Sequence, residues 1–216
     1  MASAPDRQPS ASLGGRRRLR GEDITTAAAR LFAATGYGGV GMREIADALG
    51  VKGASLYHHF ASKEEILYAI CLTVTREPVE RNLPLLDCPG TPAGRLRALV
   101  RAHVEHLARR QTEHLVGSRE LSWLTREHRA RIDDHRRYYQ RRVRDLIAAG
   151  NRLGEFDVPG PRLAAFALLD MLNGISGWYD PRGPLSLDAI AEGYVALAVT
   201  GLMRARRPGG THPLTR

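Results

Sequence analysis

The chain has 216 residues and a formal net charge of +9 at pH 7; 43% of its residues are hydrophobic and 6% are aromatic. That apolar content is too high for a chain that is disordered throughout, and no apolar run is long enough to span a membrane. The N-terminus lacks the apolar segment of a secretory signal, and Cys71 and Cys88 have neither disulfide nor metal-ligand spacing. We expect a cytoplasmic protein without metal or cofactor. Its positive charge suits either a polyanionic partner or simple solubility.

The N-terminal third has the pattern of four helices. Residues 1–21, rich in Ser, Pro, Gly and Arg, predict a disordered basic tail. Apolar residues then recur at helical spacing from Ile24, and Gly36 ends this first helix. A second helix is predicted from Met42 to Leu49 and a third from residue 54 to about Phe60, with a Gly-containing turn between them. Ser62 caps the fourth, with Glu65 completing a capping box; this helix is predicted to reach about residue 83, with a kink near Pro78.

The remainder is also predicted to be helical, so the fold class is all-α. Residues 87–94 form a turn-rich break, after which two apolar stripes follow. Glycine and proline punctuate residues 150–159, and Leu163–Trp178 is apolar almost all round, which indicates a buried or subunit-contacting helix. Ser186 caps a final helix that reaches about Arg206, and residues 208–216 are predicted to be a disordered tail. The stripes consist of Leu96, Leu99, Val100, His103 and Leu107, and of Ile132, Tyr139, Val143 and Leu146.

The second and third helices form a helix-turn-helix pattern. An apolar set, from Ile45 and Ala46 to Leu56 and Phe60, is spaced to lock the two helices together. The polar residues left on the third helix make a compact, donor-rich face that suits the major groove of DNA. This face consists of Lys52, Ser55, Tyr57, His58 and His59.

These residues resemble the DNA-binding domain of the TetR family of bacterial transcriptional regulators. The resemblance is carried by the run from Leu56 to Phe60 with Lys63 after it, by Gly36-Tyr37, and by the run from Arg43 to Ala46. It implies a DNA-binding domain over residues 22–68 and a helical effector-binding and dimerisation domain over residues 69–207. Departures are Gly41, where many relatives have Ser or Thr, and Lys52-Gly53, where Ser-Lys is common; both affect the individual contacts, not the class.

The resemblance also implies roles for single residues. Tyr57 and His59 would contact the DNA backbone, and Lys63 would bind phosphate at the start of the fourth helix. Arg43, Lys52, Ser55 and His58 would complete the DNA-binding set, through bases or phosphates. The implied protein is no enzyme but a repressor that binds a palindromic operator as a homodimer, through its last two long helices, and that a small molecule releases.

The effector is expected among the helices after residue 95. The expected lining residues are His103, Leu107, Trp123, Tyr139, Phe166, Asn173 and Trp178. The segment from Asn173-Gly174 to Ser186 is similar to a branch of the family that includes repressors of lipid and steroid catabolism, some of which sense acyl-CoA thioesters. An Arg-rich helix would suit the phosphates of CoA, so a CoA thioester or another hydrophobic carboxylate is the expected effector class.

Several sequence features allow two interpretations, one functional and one structural. Gly36 to Gly41 spells G-x-G-x-x-G, but a helix and not a strand precedes it, so it reads as a turn. His103 and His106 with His114 could suggest a metal, and a hydrogen-bonded core histidine explains them better. The arginines of residues 126–144 pair with nearby carboxylates or clamp an anion. Asp170 and Asn173 orient a ligand or join two subunits. The alternative function is a helical interaction protein or a helical-bundle enzyme without specific DNA binding.

Overall fold

The structure is a computed structural model, and it describes residues 19–202. Over that range the chain contains helices and no strand, in agreement with the all-α prediction. No helix there is long and apolar enough to cross a membrane. The α-helices are α1 Gly21–Thr35, α2 Met42–Ala48, α3 Gly53–Tyr57, α4 Lys63–Arg81, α5 Pro92–Arg109, α6 Gln111–Arg119, α7 Arg126–Leu153, α8 Pro161–Asn173, α9 Ile175–Trp178 and α10 Leu187–Leu202.

The helix boundaries follow local caps. The Ser62 hydroxyl accepts a hydrogen bond from the Glu65 amide at 3.2 Å, as the capping pattern predicts. The Glu65 carboxylate reaches back one residue further than predicted, to the amide of Ala61 at 2.7 Å. Ser186 likewise accepts from the amide of Ala189 and starts α10. The predicted tails lie mostly outside the described residues, and α1 begins at Gly21, one residue inside the predicted N-terminal tail.

Three predicted helices have different bounds in the structure. The third helix was expected to reach Phe60, but α3 ends at Tyr57 because the amides of His59 and Phe60 both bond to the carbonyl of Leu56. The fourth continues through Pro78 to Arg81, and a short 3₁₀ segment over Leu83–Asp87 follows it. The predicted helix Leu163–Trp178 is two helices, α8 and α9, that meet at Gly174.

Gly150 was predicted to belong to a loop, and this is wrong. It lies inside α7 and is buried. A Cβ atom placed there would overlap the Phe156 ring, so the glycine allows the chain to fold back against its own helix. The helix ends four residues later at Gly154, whose φ of 73° is in the left-handed region that favours glycine.

Two apolar cores organise the described chain. The first joins Ile24, Phe32, Ile45 and Leu56 of α1 to α3 with the first half of α4, and Ile132 of α7 closes it. The second core holds most of both predicted stripes, together with residues of α8 and α10; its stripe members are Leu96, Leu99, Val100 and Leu107 of α5 and Tyr139, Val143 and Leu146 of α7. Helix α4 begins in the first core and, at its other end, packs Val79 against the second.

Candidate functional site

The helix-turn-helix is built on a short, well-anchored frame. Leu56 of α3 and Ile45 and Ala46 of α2 are buried, so their packing fixes the angle between the two helices. Gly50, with a φ of 64°, makes the turn. Gly41 has no hydroxyl to cap α2, and the side chain of Glu44 takes that role by accepting a hydrogen bond from the Gly41 amide at 3.0 Å.

The predicted DNA-binding residues lie on one side of this frame. The side chain of Tyr57 is 58% exposed. Tyrosine rings are more often packed against other side chains, so this exposure is high for the residue type. His58 and His59 are also exposed, but they lie in the turn after α3 and not on the helix itself. Arg43 and Lys52 are exposed, while Ser55 is half-buried. The result is a largely exposed surface of hydrogen-bond donors around Tyr57.

Lys63 has a structural use that the sequence does not indicate. Its ammonium donates hydrogen bonds to the carbonyls of Tyr37 and Val40, at 2.9 and 2.6 Å. It also lies 4.1 Å from the centre of the Tyr37 ring, a cation–π distance. Lys63 therefore ties the start of α4 to the turn between α1 and α2, and one of its three N–H groups is left for another acceptor.

A cavity of about 340 Å³ lies between the two cores. Its wall comes from α4 to α9, where Val74 and Pro78 supply one side and Leu169 another. Most of the other lining groups are polar, and four of them are histidines. The polar lining consists of Thr75, His103, His106, His114, Ser118, His135, Arg136, Tyr139, Gln140, Asp170, Asn173 and Ser176.

Hydrogen bonds fix two of the histidines. His103 is bonded to the Tyr139 hydroxyl at 3.1 Å and to the side-chain oxygen of Asn173 at 3.2 Å. His114 is bonded to the Ser176 hydroxyl at 3.2 Å, and that hydroxyl donates to the backbone carbonyl of Asn173 at 2.8 Å. Asn173 thus organises the wall, directly and through Ser176.

Burial keeps three of these histidines neutral at pH 7. It lowers the pKa of His103 to about 3, and the hydrogen bond to Asn173 offsets only part of that effect. The pKa values of His106 and His114 are lowered to about 4, again chiefly by burial. The phenol of Tyr139 is protonated, since burial raises its pKa well above 10. These three histidines and Tyr139 therefore offer neutral hydrogen-bonding groups, beside the guanidinium of Arg136 and the carboxyl group of Asp170 in the same wall.

The predicted effector residues divide between this cavity and other places. His103, Tyr139 and Asn173 line it, whereas Leu107 is buried in the second core without reaching it. Trp123 is 54% exposed and packs against the Tyr37 ring, at 5.2 Å between centroids. Trp178 is 49% exposed beside Tyr194. His106 and His114 also line the cavity, but the predicted set did not include them. Their spacing in the sequence does not indicate that α5 and α6 bring them to the same cavity.

Phe166 lines a second, smaller cleft. This cleft of about 180 Å³ runs between α7 and α8, and its polar lining is Gln140 with four arginines, Arg137, Arg141, Arg144 and Arg162. Gln140 also lines the cavity, so the two spaces adjoin there. Asp134 and Asp145 pair with Arg137 and Arg144, at 2.7 Å each. Arg141 and Arg162 form no ion pair with any carboxylate of residues 19–202.

No group of three or more His, Cys, Asp or Glu side chains within the described part of the chain is arranged to hold a metal ion. Two functional elements therefore stand out: a donor-rich helix-turn-helix surface and a cavity with an arginine cleft beside it. Together they are typical of the class of DNA-binding regulators that have a pocket in a second, helical domain.

Comparison with known proteins agrees with that class. Residues 24–70 match the family model for bacterial regulatory proteins of the tetR family, and residues 89–202 match the tetracyclin repressor-like C-terminal domain. The chain belongs to the TetR family. It is a helix-turn-helix transcriptional regulator.

Named relatives include repressors of known structure. The HTH-type transcriptional repressor KstR2 of Mycobacterium tuberculosis (strain ATCC 25618 / H37Rv) is 28% identical over 187 residues, which cover 86% of this chain and 93% of KstR2. The solved structure of KstR2 from Mycobacterium tuberculosis, a ketosteroid transcriptional regulator, superposes with a TM-score of 0.80 at 26% identity, covering 88% of this chain and 98% of that one.

Two further solved structures are similar. PfmR of Thermus thermophilus, a TetR-family regulator, gives a TM-score of 0.77 at 32% identity and covers 84% of this chain and 99% of its own. AibR was solved in complex with isovaleryl coenzyme A and operator DNA. It gives a TM-score of 0.75 at 32% identity and covers 84% of this chain and 98% of its own.

Proposed function

We propose that this protein is a dimeric repressor that binds a palindromic operator and is released by a small-molecule effector. Residues 22–68 read DNA, and residues 69–207 hold the effector and dimerise. It acts in the cytoplasm and by binding, without catalysis. The exposed surface around Tyr57 carries this proposal, because a large aromatic ring surrounded by histidines and cations has no packing role there.

The residues of this surface fall into two groups according to the part of the DNA that they contact. Tyr57, His59 and the free N–H of Lys63 contact phosphates and position α3. Arg43, Lys52, Ser55 and His58 supply the remaining contacts with base edges or phosphates. Two copies related by a two-fold axis place their α3 helices in successive major grooves, about 34 Å apart along the duplex, and this requires a palindromic site.

Dimerisation uses the outward sides of α8 and α10. Leu163 and Leu197 are exposed there although both are large and apolar. Between and beside them are small residues, among them Ala167, Gly193 and Ala196, which let another helix approach closely. Helices from two subunits packed on these faces form a four-helix bundle.

The effector is a CoA thioester whose acyl group enters the histidine cavity while its phosphates lie in the arginine cleft. Gln140 lines both spaces, and the proposal places one elongated molecule across them. Arg141 and Arg162 have guanidinium groups free of ion pairs within residues 19–202, and phosphate is a strong bidentate acceptor for such groups. The similar regulator AibR was solved with isovaleryl coenzyme A, which supports this effector class.

DNA binding is tested by fluorescence anisotropy with the promoter region upstream of the gene. The wild type should bind a palindrome saturably and with strong salt dependence, and Tyr57→Ala should weaken binding at least tenfold. Tyr138→Ala is the matched control, since Tyr138 is an exposed tyrosine on α7, away from the helix-turn-helix. Affinity for the palindrome no higher than for random DNA would contradict the proposal.

Effector binding is tested by thermal shift with a panel of CoA thioesters and the corresponding free acids. CoA thioesters should raise the melting temperature and release operator DNA. The double variant Arg141→Gln, Arg162→Gln should weaken CoA thioesters at least tenfold and leave thioesters without the nucleotide unaffected. Arg152→Gln is the control, because it removes an exposed arginine of α7 outside the cleft. No stabilisation by any CoA compound would refute this part.

A further inference from the structure

Most polar groups of the cavity wall already have partners. The Ser176 hydroxyl has one proton, which it donates to the Asn173 carbonyl. It must therefore accept the proton of His114 Nδ1. His103 Nε2 donates to the amide oxygen of Asn173, which leaves Nδ1 to accept from the Tyr139 hydroxyl. The Thr75 hydroxyl donates to the carbonyl of Cys71 at 2.9 Å.

Among the buried polar groups of the wall, His106 is the exception. Its ring is 2% exposed and lines the cavity, and within residues 19–202 neither ring nitrogen forms a hydrogen bond of full geometry. A weak interaction with the backbone of Val74 engages at most one of the two nitrogens. Buried polar atoms in native proteins are nearly always satisfied, and an unsatisfied one calls for an explanation. A polar cavity of this size holds either water or a ligand, and an oxygen atom of a ligand that displaces the water can complete the hydrogen bond.

The surroundings of His106 indicate which chemistry fits. The Glu77 carboxylate lies 3.9 Å from Nδ1 and favours a proton on that nitrogen. Glu77 is itself held by Arg109 and Arg110, at 3.0 and 3.3 Å, so it is not available to the cavity. A neutral imidazole with its proton on Nδ1 presents a lone pair at Nε2, which a hydroxyl group satisfies; the other tautomer presents an N–H, which a carbonyl satisfies.

We propose that the effector carries an uncharged oxygen function, a hydroxyl or a ketone, on the end of its acyl group that enters the cavity, and that His106 hydrogen-bonds to it. This inference rests on the proposed effector cavity and specifies its ligand. A plain hydrocarbon chain would leave His106 unsatisfied and gain less. The placement of the proton near Glu77 makes the hydroxyl the better of the two groups.

The experiment compares acyl groups that differ by one oxygen. Octanoate, 7-hydroxyoctanoate and 7-oxooctanoate are each prepared as CoA and as N-acetylcysteamine thioesters, and their dissociation constants are measured by calorimetry. The N-acetylcysteamine series keeps the acyl group and the thioester but lacks the nucleotide. In each series that binds, the wild type should bind the 7-hydroxyoctanoyl thioester at least tenfold more tightly than the octanoyl thioester.

His106→Leu should abolish this preference, because a leucine of similar volume has no hydrogen-bonding atom. His106→Gln, which restores a donor and an acceptor, should recover part of it. Thr73→Val is the control for loss of a half-buried hydroxyl on the neighbouring helix, as Thr73 bonds only to the carbonyl of Ala69; it should keep the wild-type ratio. His106→Leu should also melt cooperatively and no lower than the wild type, which excludes misfolding as the cause.

The outcomes separate this inference from the proposed effector class. If only the N-acetylcysteamine compounds bind, with the oxygen preference, the CoA assignment fails and the role of His106 stands. If CoA compounds bind without an oxygen preference, the CoA assignment stands and the inference is overturned. It is also overturned if His106→Leu keeps the preference, or if no acyl compound of either series binds.

Discussion

Acid should destabilise this protein in a pH range where its carboxylates are still ionised. His103, His106 and His114 have pKa values of about 3, about 4 and about 4 in the folded protein, against 6.5 ordinarily. Below pH 6.5 the unfolded chain therefore binds protons that the folded protein does not. The free energy of unfolding consequently falls as the pH is lowered.

The size of the effect follows from the pKa values. Each histidine contributes a loss of about 1.4 kcal/mol for each pH unit below 6.5, until its folded pKa is reached. Between pH 7.5 and 5.5 the three together should remove about 4 kcal/mol. That is a large part of the roughly 5–15 kcal/mol that stabilises a typical domain.

The measurement is urea unfolding followed by circular dichroism at pH 7.5, 6.5 and 5.5. His106→Leu should reduce the loss by about one third, since it removes one of the three groups. Ligand-free protein is required, because a bound effector would add its own pH dependence. A free energy of unfolding that stays constant or rises between pH 7.5 and 5.5 would refute the reasoning.

Three other variants or treatments test the frame around the sites. Gly150→Ala should lower the stability by about 1–3 kcal/mol in urea unfolding, because its methyl group would overlap the Phe156 ring; an unchanged midpoint would contradict the close packing. Lys63→Met should weaken operator binding and lower the melting temperature together, as it frees the carbonyls of Tyr37 and Val40; loss of binding at an unchanged melting temperature would mean a phosphate contact alone. Iodoacetamide should label the exposed Cys88 and spare the buried Cys71, whose pKa burial raises to about 12, so mass spectrometry should find one label per native chain.

The sequence predicts the fold well where local signals and tertiary packing agree. Ser62 and Ser186 start helices because their hydroxyl groups cap free amides, and that interaction is local in sequence. The end of α3 was missed because Leu56 and Phe60 keep a helical spacing while the backbone turns more tightly after Leu56. Periodicity reports which residues are buried, but not whether the last turn is α-helical or 3₁₀.

The cavity was harder to predict because it depends on which helix faces meet. His103 and Tyr139 were placed correctly on inward faces, since both belong to apolar stripes. Trp123 and Trp178 also belong to the predicted lining, yet both are about half exposed and neither lines the cavity. His106 was passed over because it lies off the stripe, and only the position of α4 shows that it faces the same cavity.

Helix α4 explains how a ligand in the cavity can influence DNA binding. At 1.5 Å per residue, the stretch of α4 from Lys63, beside the helix-turn-helix, to Pro78, in the cavity wall, spans about 22 Å. At the DNA end, Glu64 bonds to the ring of His128, at 2.9 Å, and to the amide of Thr125, so α4 is also fastened to α7. A ligand that moves Val74 and Pro78 must shift this helix or break those bonds. The change in operator affinity is therefore limited to the ligand's differential affinity for the two positions of α4.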